Sequence, residues 1–358
     1  MQNNRQKDAI ESIGFMPTSR GLTAGSRNLS APLDSAVKPR NVSLYFQSYP
    51  RQSGSALITA LFIMTLVAIA ATAMSTRLQL DIYRTRLTIL SDKLYFASQA
   101  VTFWAMSELA DKKNKFTLAD EFGKVIDFPS KLQNAYPEVG TSGHLYDLQS
   151  RFNLNNLSDK RYQSSFLKIL DLAPTKLSAA EKEALILATR NWISPYQPGR
   201  GQDEFVNYYL QQKPPYFASQ QLLQHVSEFR LIKDVNAKLY SSLFDYLTVL
   251  PEVTPININT ASKQILATLA NGLNEAQVEE LITARGDKGI QDLQDIAPLL
   301  QKLNIRNQQI TIESQYFLSV AMIVHPDLNL TNYTVLKRSK DRNGKISVSI
   351  VSESLNSV

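Results

Sequence analysis

Cysteine is absent from this 358-residue chain, and histidine and tryptophan are scarce, with 3 and 2 copies. The missing thiols exclude disulfides, thiolate catalysis and cysteine-built zinc sites, and they leave the compartment open because an exported protein need not use disulfides. His144, His225 and His325 are scattered and read as surface or core residues rather than ligands. Dense runs of one charge are missing too. The 38 Lys and Arg are interspersed with 32 Asp and Glu, so a net charge of +6 and a pI near 9.2 describe a mildly basic, solvated surface rather than a nucleic-acid-binding block. What the chain has is apolar residues, 44% against 20% charged, enough for a sizeable core in roughly two or three folding units. No nucleophile stands beside an evident base partner, so the sequence points away from an enzyme.

Charge is missing altogether between Arg51 and Arg77. From Ala56 to Ala71 the run is apolar apart from small hydroxyls, and about 20 residues at ~1.5 Å each cross a ~30 Å hydrocarbon layer. A helix buried in a soluble core would show a polar stripe, which this one lacks. A cleavable secretory signal shares the basic flank and the apolar run, with Ala71-Thr72-Ala73 as its small-residue site, yet the helical pattern runs straight through that site. Leu80, Tyr83, Leu87, Leu90, Leu94, Ala97, Val101 and Trp104 recur at alternating steps of three and four, on one stripe of a helix that no Pro or Gly interrupts between Ser55 and Leu109. The pattern predicts one helix of roughly 50 residues, membrane-spanning over 55–76 and amphipathic beyond, with one face laid on a soluble domain. Its outline resembles that of a type IV pilin. Residues 1–54 are rich in Ser, Asn, Arg, Pro and Gly with little periodic apolarity and read as a disordered leader.

Residues 77–157 hold the soluble half of that helix and, after a turn-rich stretch from Phe128 to Gly143, a first strand starting near His144. The closing Arg151-Phe152-Asn153-Leu154-Asn155-Asn156-Leu157 is crowded with Asn, which favours a turn or a sheet edge where amide side chains replace ladder bonds. Residues 158–250 have helical periodicity, at Leu167 to Leu170, Leu185 to Trp192, Leu222-Leu223 and Leu239 to Leu247, and Ser178 with Glu181 makes a capping box. A Pro- and Gly-rich loop lies between Asn191 and Phe205, followed by Tyr208-Tyr209, Lys213-Pro214-Pro215-Tyr216 and Val226-Ser227-Glu228-Phe229-Arg230-Leu231. A second helical unit, 251–312, runs from Asn259-Thr260-Ala261 through a turn at Asn271-Gly272 to Ala284-Arg285-Gly286 and resembles a helix-hairpin-helix or SAM-like unit. A hairpin that grips DNA offers Gly-x-Gly amides and nearby cations to a phosphate; here a single Gly272 is followed by Glu275, Glu279 and Glu280, so phosphate neutralisation is poor. Residues 313–358 return to period two at Tyr316 to Val324, Thr331 to Lys337 and Ile346 to Val351, with Asn343-Gly344 as a hairpin turn, and predict antiparallel strands packed on the long helix.

Arg51-Gln52-Ser53-Gly54-Ser55 ahead of the apolar helix is similar to the processing site of pilins and pseudopilins. The Arg-Phe-Asn-Leu-Asn-Asn-Leu, Pro-Pro-Tyr, Ser-Glu-Phe-Arg and Asn-Thr-Ala segments resemble those of the K-type minor pseudopilins of bacterial type II secretion (general secretion pathway protein K, GspK), almost from end to end. The resemblance implies an α+β fold: a long N-terminal transmembrane helix, a pilin-like antiparallel sheet and a large inserted helical domain. It implies cleavage by a prepilin peptidase between Gly54 and Ser55. It places Thr59 where most relatives carry the Glu that meets a neighbouring subunit's amino terminus, so this chain lacks the partner that draws a subunit beneath another and can start or cap a fibre. It further implies a single-pass protein of the bacterial inner membrane, with cytoplasmic N-terminus and periplasmic bulk. Its partners would be I- and J-type minor pseudopilins, the prepilin peptidase and the inner-membrane assembly platform, with no nucleic acid. In relatives the loop after Trp192 binds calcium through several Asp; here Asn191, Ser194 and Tyr196 hold positions expected to be acidic, and Asp203 and Glu204 remain. Two readings of that loop stay open, a weak calcium site or a loop held by Trp192, Tyr196 and Pro packing. The leader is longer than the family's handful of residues, so either translation starts downstream of Met1 or the chain carries an extended cytoplasmic leader. The alternatives, a type IV pilus minor pilin and a membrane-tethered DNA-binding protein, leave the Pro-Pro-Tyr and Ser-Glu-Phe-Arg block unexplained.

Overall fold

The computed structural model describes residues 53–133, 136, 138–199 and 201–356. The expected leader lies outside the described residues except for Ser53 and Gly54, which open the first helix, α1 (Ser53–Ala110). The chain divides between Ala70 and Ala71 into two units. In the first, every side chain from Ser55 to Ala70 is exposed, and α1 has a mean hydropathy of 2.4 over its most apolar window, long and apolar enough to cross a membrane. A helix suits that medium because its backbone groups bond to one another.

In the second unit the chain lays down β1 (Lys124–Asp127), β2 (Gly140–Asp147), β3 (Phe152–Asn153), α2 (Gln163–Leu170), α3 (Ala179–Ile193), α4 (Asp203–Leu210) and α5 (Ala237–Leu243). It continues through β4 (Leu247–Thr248), β5 (Ile256–Asn257), α6 (Lys263–Leu266), α7 (Glu275–Arg285), α8 (Ala297–Lys302) and β6 (Ile310–Thr311) to β7 (Tyr316–His325), β8 (Leu328–Lys340) and β9 (Ile346–Leu355). One antiparallel sheet has the order β1-β2-β7-β8-β9. Strands β2 and β7 pair from Gly140 with Val324 to Asp147 with Phe317, so residues 148–315 are an insertion between adjacent strands.

The sheet exists to be covered by α1. Leu90, Leu94, Ala97, Val101, Trp104 and Leu109 pack on the alternate residues Leu145 of β2, Phe317, Ala321 and Ile323 of β7, and Leu330 and Leu336 of β8. Gly143 sits where a Cβ would stand 2.5 Å from Val101 Cγ1 and 2.8 Å from the Val320 carbonyl, so the close approach of helix to sheet needs glycine there. Asn332 on β8 donates to Ser98 Oγ at 3.1 Å beneath the helix. Arg338 ends α1 by donating from Nε to the Leu109 carbonyl at 2.8 Å and from Nη2 to the Asn114 carbonyl at 3.1 Å. The predicted stripe is shorter than its periodicity: Leu80 and Tyr83 are exposed, because the sheet ends at the β7–β8 turn, where Asp327 pairs with Arg86 at 2.9 Å.

The insertion has one continuous core that runs from Phe152 through Phe166, Tyr209 and Phe229 to Leu266, Leu281 and Ile310, fed by both helical segments. Some local expectations differ. Strand β1 was not legible, being four residues with no flanking alternation, and β2 begins at Gly140 inside the expected turn region. Leu222 and Leu223 lie outside any helix, because the Leu223 N–H is taken by the Asn155 side chain at 2.9 Å. The loop after Trp192 is narrower than expected, since α3 runs to Ile193 and α4 starts at Asp203. The Ser178–Glu181 capping box and the Gly344 hairpin turn stand as expected.

Insertion and sheet meet at Asp147, the last residue of β2, which is fully buried. Its carboxylate accepts hydrogen bonds from the Gln149 N–H at 2.8 Å, Asn257 Nδ2 at 3.0 Å, Thr260 Oγ1 at 2.5 Å and Ser314 Oγ at 2.7 Å. Burial raises its pKa, against the pull of those donors. We expect Asp147→Leu, which strands these donors without an acceptor, to lower the unfolding free energy by about 3 kcal/mol or more, as measured by denaturant titration of the detergent-solubilised chain.

Candidate functional site

The asparagine-rich motif lies where expected, in one strand of a two-stranded sheet and the 3-10 turn that follows it, and its side chains are buried. Asn155 Nδ2 donates to the carbonyls of Leu223 at 3.0 Å and Leu250 at 2.8 Å, while its Oδ1 takes the Leu223 N–H. Asn259 repeats the arrangement, with Nδ2 to the carbonyls of Ile290 at 2.9 Å and Ile312 at 3.3 Å, and Oδ1 to the Ile290 N–H at 2.8 Å. Two residues earlier, Asn153 and Asn257 each accept the N–H of the clasping asparagine, at 3.1 and 2.9 Å. Each motif follows a two-residue strand paired in parallel, β3 with β4 and β5 with β6. The two helical segments are therefore closed by the same device, in which a side-chain amide stands in for a missing backbone partner. The likeness of Phe-Asn-Leu-Asn to Ile-Asn-Ile-Asn was the signal in the sequence.

At the start of α1, Gly54 and Ser55 occupy the first turn, and Ser55 is exposed. Thr59 directs Oγ1 to the carbonyls of Ser55 at 3.1 Å and Ala56 at 3.0 Å. Its hydroxyl is thus returned to its own helix, and the position carries no charge to offer a neighbour.

The expected metal residues, Asp203 and Glu204, stand in the first turn of α4 and are engaged separately. Asp203 accepts from Tyr196 Oη at 2.5 Å, and Glu204 pairs with Lys233 Nζ at 3.2 Å. Lys233 also lies over the rings of Phe205, 5.5 Å from its centroid, and Tyr208, at 5.3 Å. Its backbone N–H donates to Tyr209 Oη at 3.2 Å. Trp192, Tyr209 and Tyr216 pack edge and face with centroids 5.3 Å apart for the Trp192–Tyr209 and Tyr209–Tyr216 pairs, and burial pushes the Tyr209 phenol up to about 12. Tyr216 Oη closes the cluster on the Leu231 carbonyl at 2.8 Å. Among the described residues no three Asp, Glu, His or Cys side chains gather into a metal set. Calcium requires roughly six to eight hard oxygens, and here the two carboxylates face different partners, a phenol and an ammonium. Lys233 lay outside the expected loop and was missed for that reason.

In the second helical unit the Gly272 N–H donates to the Leu269 carbonyl at 2.9 Å, and α7 binds its neighbours through Glu279 to Lys263 and Glu280 to Lys302. The turn amide and two of the three acidic side chains are thus engaged within the chain. For the α4 loop we expect the melting temperature of the solubilised chain to differ by less than about 1 °C between excess chelator and millimolar calcium, read by differential scanning fluorimetry.

Comparison with known proteins agrees with this geometry. Family models described as type II secretion system (T2SS), protein K match residues 150–252 and 256–313, the two clasped segments. The chain is 32% identical over 208 residues to type II secretion system protein K of Pseudomonas aeruginosa, a match over 56% of this chain and 61% of that protein's own length. It is 28% identical over 328 residues to the Aeromonas hydrophila protein K, covering 81% and 94% of the two chains, and 27% over 320 residues to that of Klebsiella pneumoniae, covering 80% and 93%. The fold is similar to a chain in the crystal structure of the GspK-GspI-GspJ complex from the enterotoxigenic Escherichia coli type 2 secretion system, with a TM-score of 0.60, 20% identity, and coverage of 77% of this chain and 100% of that one. By these matches the chain is similar to the type II secretion system protein K family, over both helical segments in the family models and over most of its length in two of the relatives.

Proposed function

We propose that this chain is a minor pseudopilin that works by assembly rather than catalysis. In this reading α1 anchors it once in the bacterial inner membrane, with the N-terminus cytoplasmic and the sheet and helical insertion periplasmic. A prepilin peptidase cuts between Gly54 and Ser55. The mature chain joins I- and J-type minor pseudopilins at the tip of the pseudopilus, above the inner-membrane assembly platform, and supports export of folded proteins. The sheet covered by α1 is the pilin-like core, and the second helical segment is a helix-hairpin-helix or SAM-like packing module.

The observation that carries the reading is α1 itself: a 58-residue helix whose first part is uncharged and exposed and whose last part is the cover of an antiparallel sheet. Such an element has no use in a protein wholly in water, where about 20 exposed apolar residues would aggregate. The exposed, uncharged Thr59 and the bulk of the insertion suit a terminal place, as does the company of GspI and GspJ in the structure of the relative. The test is N-terminal mass analysis of the protein from membranes with and without the peptidase. A chain beginning at Ser55 only when the peptidase is present is the expected result; an uncut chain, or one cut near Ala73, overturns it.

A further inference from the structure

Where the end of α1, the return of the insertion and the β8–β9 hairpin come together, the surface holds a cavity of about 390 Å³. Its walls carry four cations, Lys112, Lys115, Arg338 and Lys340, against one carboxylate, Glu313. Elsewhere on the chain lysines such as Lys93, Lys263 and Lys302 are matched to carboxylates. These four are not. Lys115 donates to a neutral group, Gln291 Oε1, at 2.8 Å, and Arg338 spends its N–H groups on the carbonyls of Leu109, Asp111 and Asn114. Among the described residues the Lys112 and Lys340 ammonium groups have no hydrogen-bond or ion-pair partner. We propose that this cavity binds an acidic peptide segment of another protein, with its carboxylates placed among those cations.

The chemistry of the walls selects the occupant. An ammonium on a flexible stem is a point charge that can follow carboxylates at varied positions, as a peptide presents them. A site for a single oxoanion is instead a close cradle of backbone N–H groups or Arg forks, and the only Arg here has its donors turned onto main-chain carbonyls. The Gln315 side-chain amide lines the cavity without a partner among the described residues and offers a donor and an acceptor to a peptide bond. With α1 anchored as proposed, a lipid headgroup is out of reach, because the helix rises roughly 50 Å between Arg77 and its C-terminal end. A nucleic acid needs an unbroken track of cations at its phosphates, and Glu313 and Asp341 interrupt this one. Cations after α1 also oppose the helix dipole, yet Arg338 already caps those carbonyls, and Lys340 on β8 has no such duty. The floor includes Ser314, whose hydroxyl donates to Asp147 at 2.7 Å, so the cavity is shaped by the buried junction of insertion and sheet.

Fluorescence anisotropy of a labelled decapeptide of alternating Glu and Gly, titrated with the detergent-solubilised full-length chain at low ionic strength, tests the site, with a Gln-and-Gly decapeptide as control. The Glu peptide is expected to bind about tenfold more tightly than the Gln peptide. The double variant Lys112→Gln, Lys340→Gln is expected to lose about tenfold of that affinity with an unchanged melting temperature, while Lys131→Gln, Lys238→Gln, which removes the same charge from exposed positions outside the cavity, keeps it. No binding, equal affinity for the two peptides, or an equal loss from the two double variants overturns the site. Displacement of the labelled peptide by inorganic phosphate as effectively as by unlabelled Glu peptide overturns the peptide as occupant and makes the cavity a site for a free oxoanion.

Discussion

Strand β2 has to find β7 after the chain has travelled through residues 148–315, and the register of that pair decides whether the rest can form. Loop closure costs grow only slowly with length, so a long insertion is tolerable provided its ends are pinned. The pins are side chains next to the crossing point. Asp147 gathers donors from β5, the loop after it and the segment before β7. Gln149 accepts the Gln315 N–H at 2.5 Å and donates to the Pro255 carbonyl at 3.0 Å. With the ends held, β7 and β8 present Phe317, Ala321, Ile323, Leu330 and Leu336 on one face, and α1 gains its seat. A slip of one residue would turn those side chains to the opposite face and leave the helix with nothing apolar to cover.

This dependence explains what could be read in the sequence. The long helix, the Ser178 capping box, the three C-terminal strands and the Gly344 turn rest on local periodicity and local bonds, and they were legible. Their limits were not, because Leu80 and Tyr83 continue the stripe perfectly well and are exposed only because the sheet stops. The role of Asp147 was hidden for the same reason, since three of its four donors come from positions more than a hundred residues away. The asparagines of the first motif read as turn or edge residues and stand in an edge strand and a 3-10 turn, but their burial as clasps was hidden, since the partners Leu223, Leu250, Ile290 and Ile312 give no sign in sequence. Strand β1 is too short to register and is defined by β2 alone.

The loop between α3 and α4 is tied down by side chains from outside it. A Pro- and Gly-rich connection must be held against the helices, and carboxylates gathered on an ion would do it. In this chain Trp192 and Tyr209 are buried and Lys233 lies across Glu204 and two rings. The charge that draws the segment together is carried on the chain itself, and the aromatic packing supplies the apolar area.

In the proposed role the chain is one member of a mixed assembly of minor pseudopilins. Native mass spectrometry of the complex captured from membranes through this chain tests that most directly. A single copy of this chain together with I- and J-type subunits is the predicted composition. A homo-oligomer of this chain, or the chain alone under conditions in which the other two subunits associate, would contradict it.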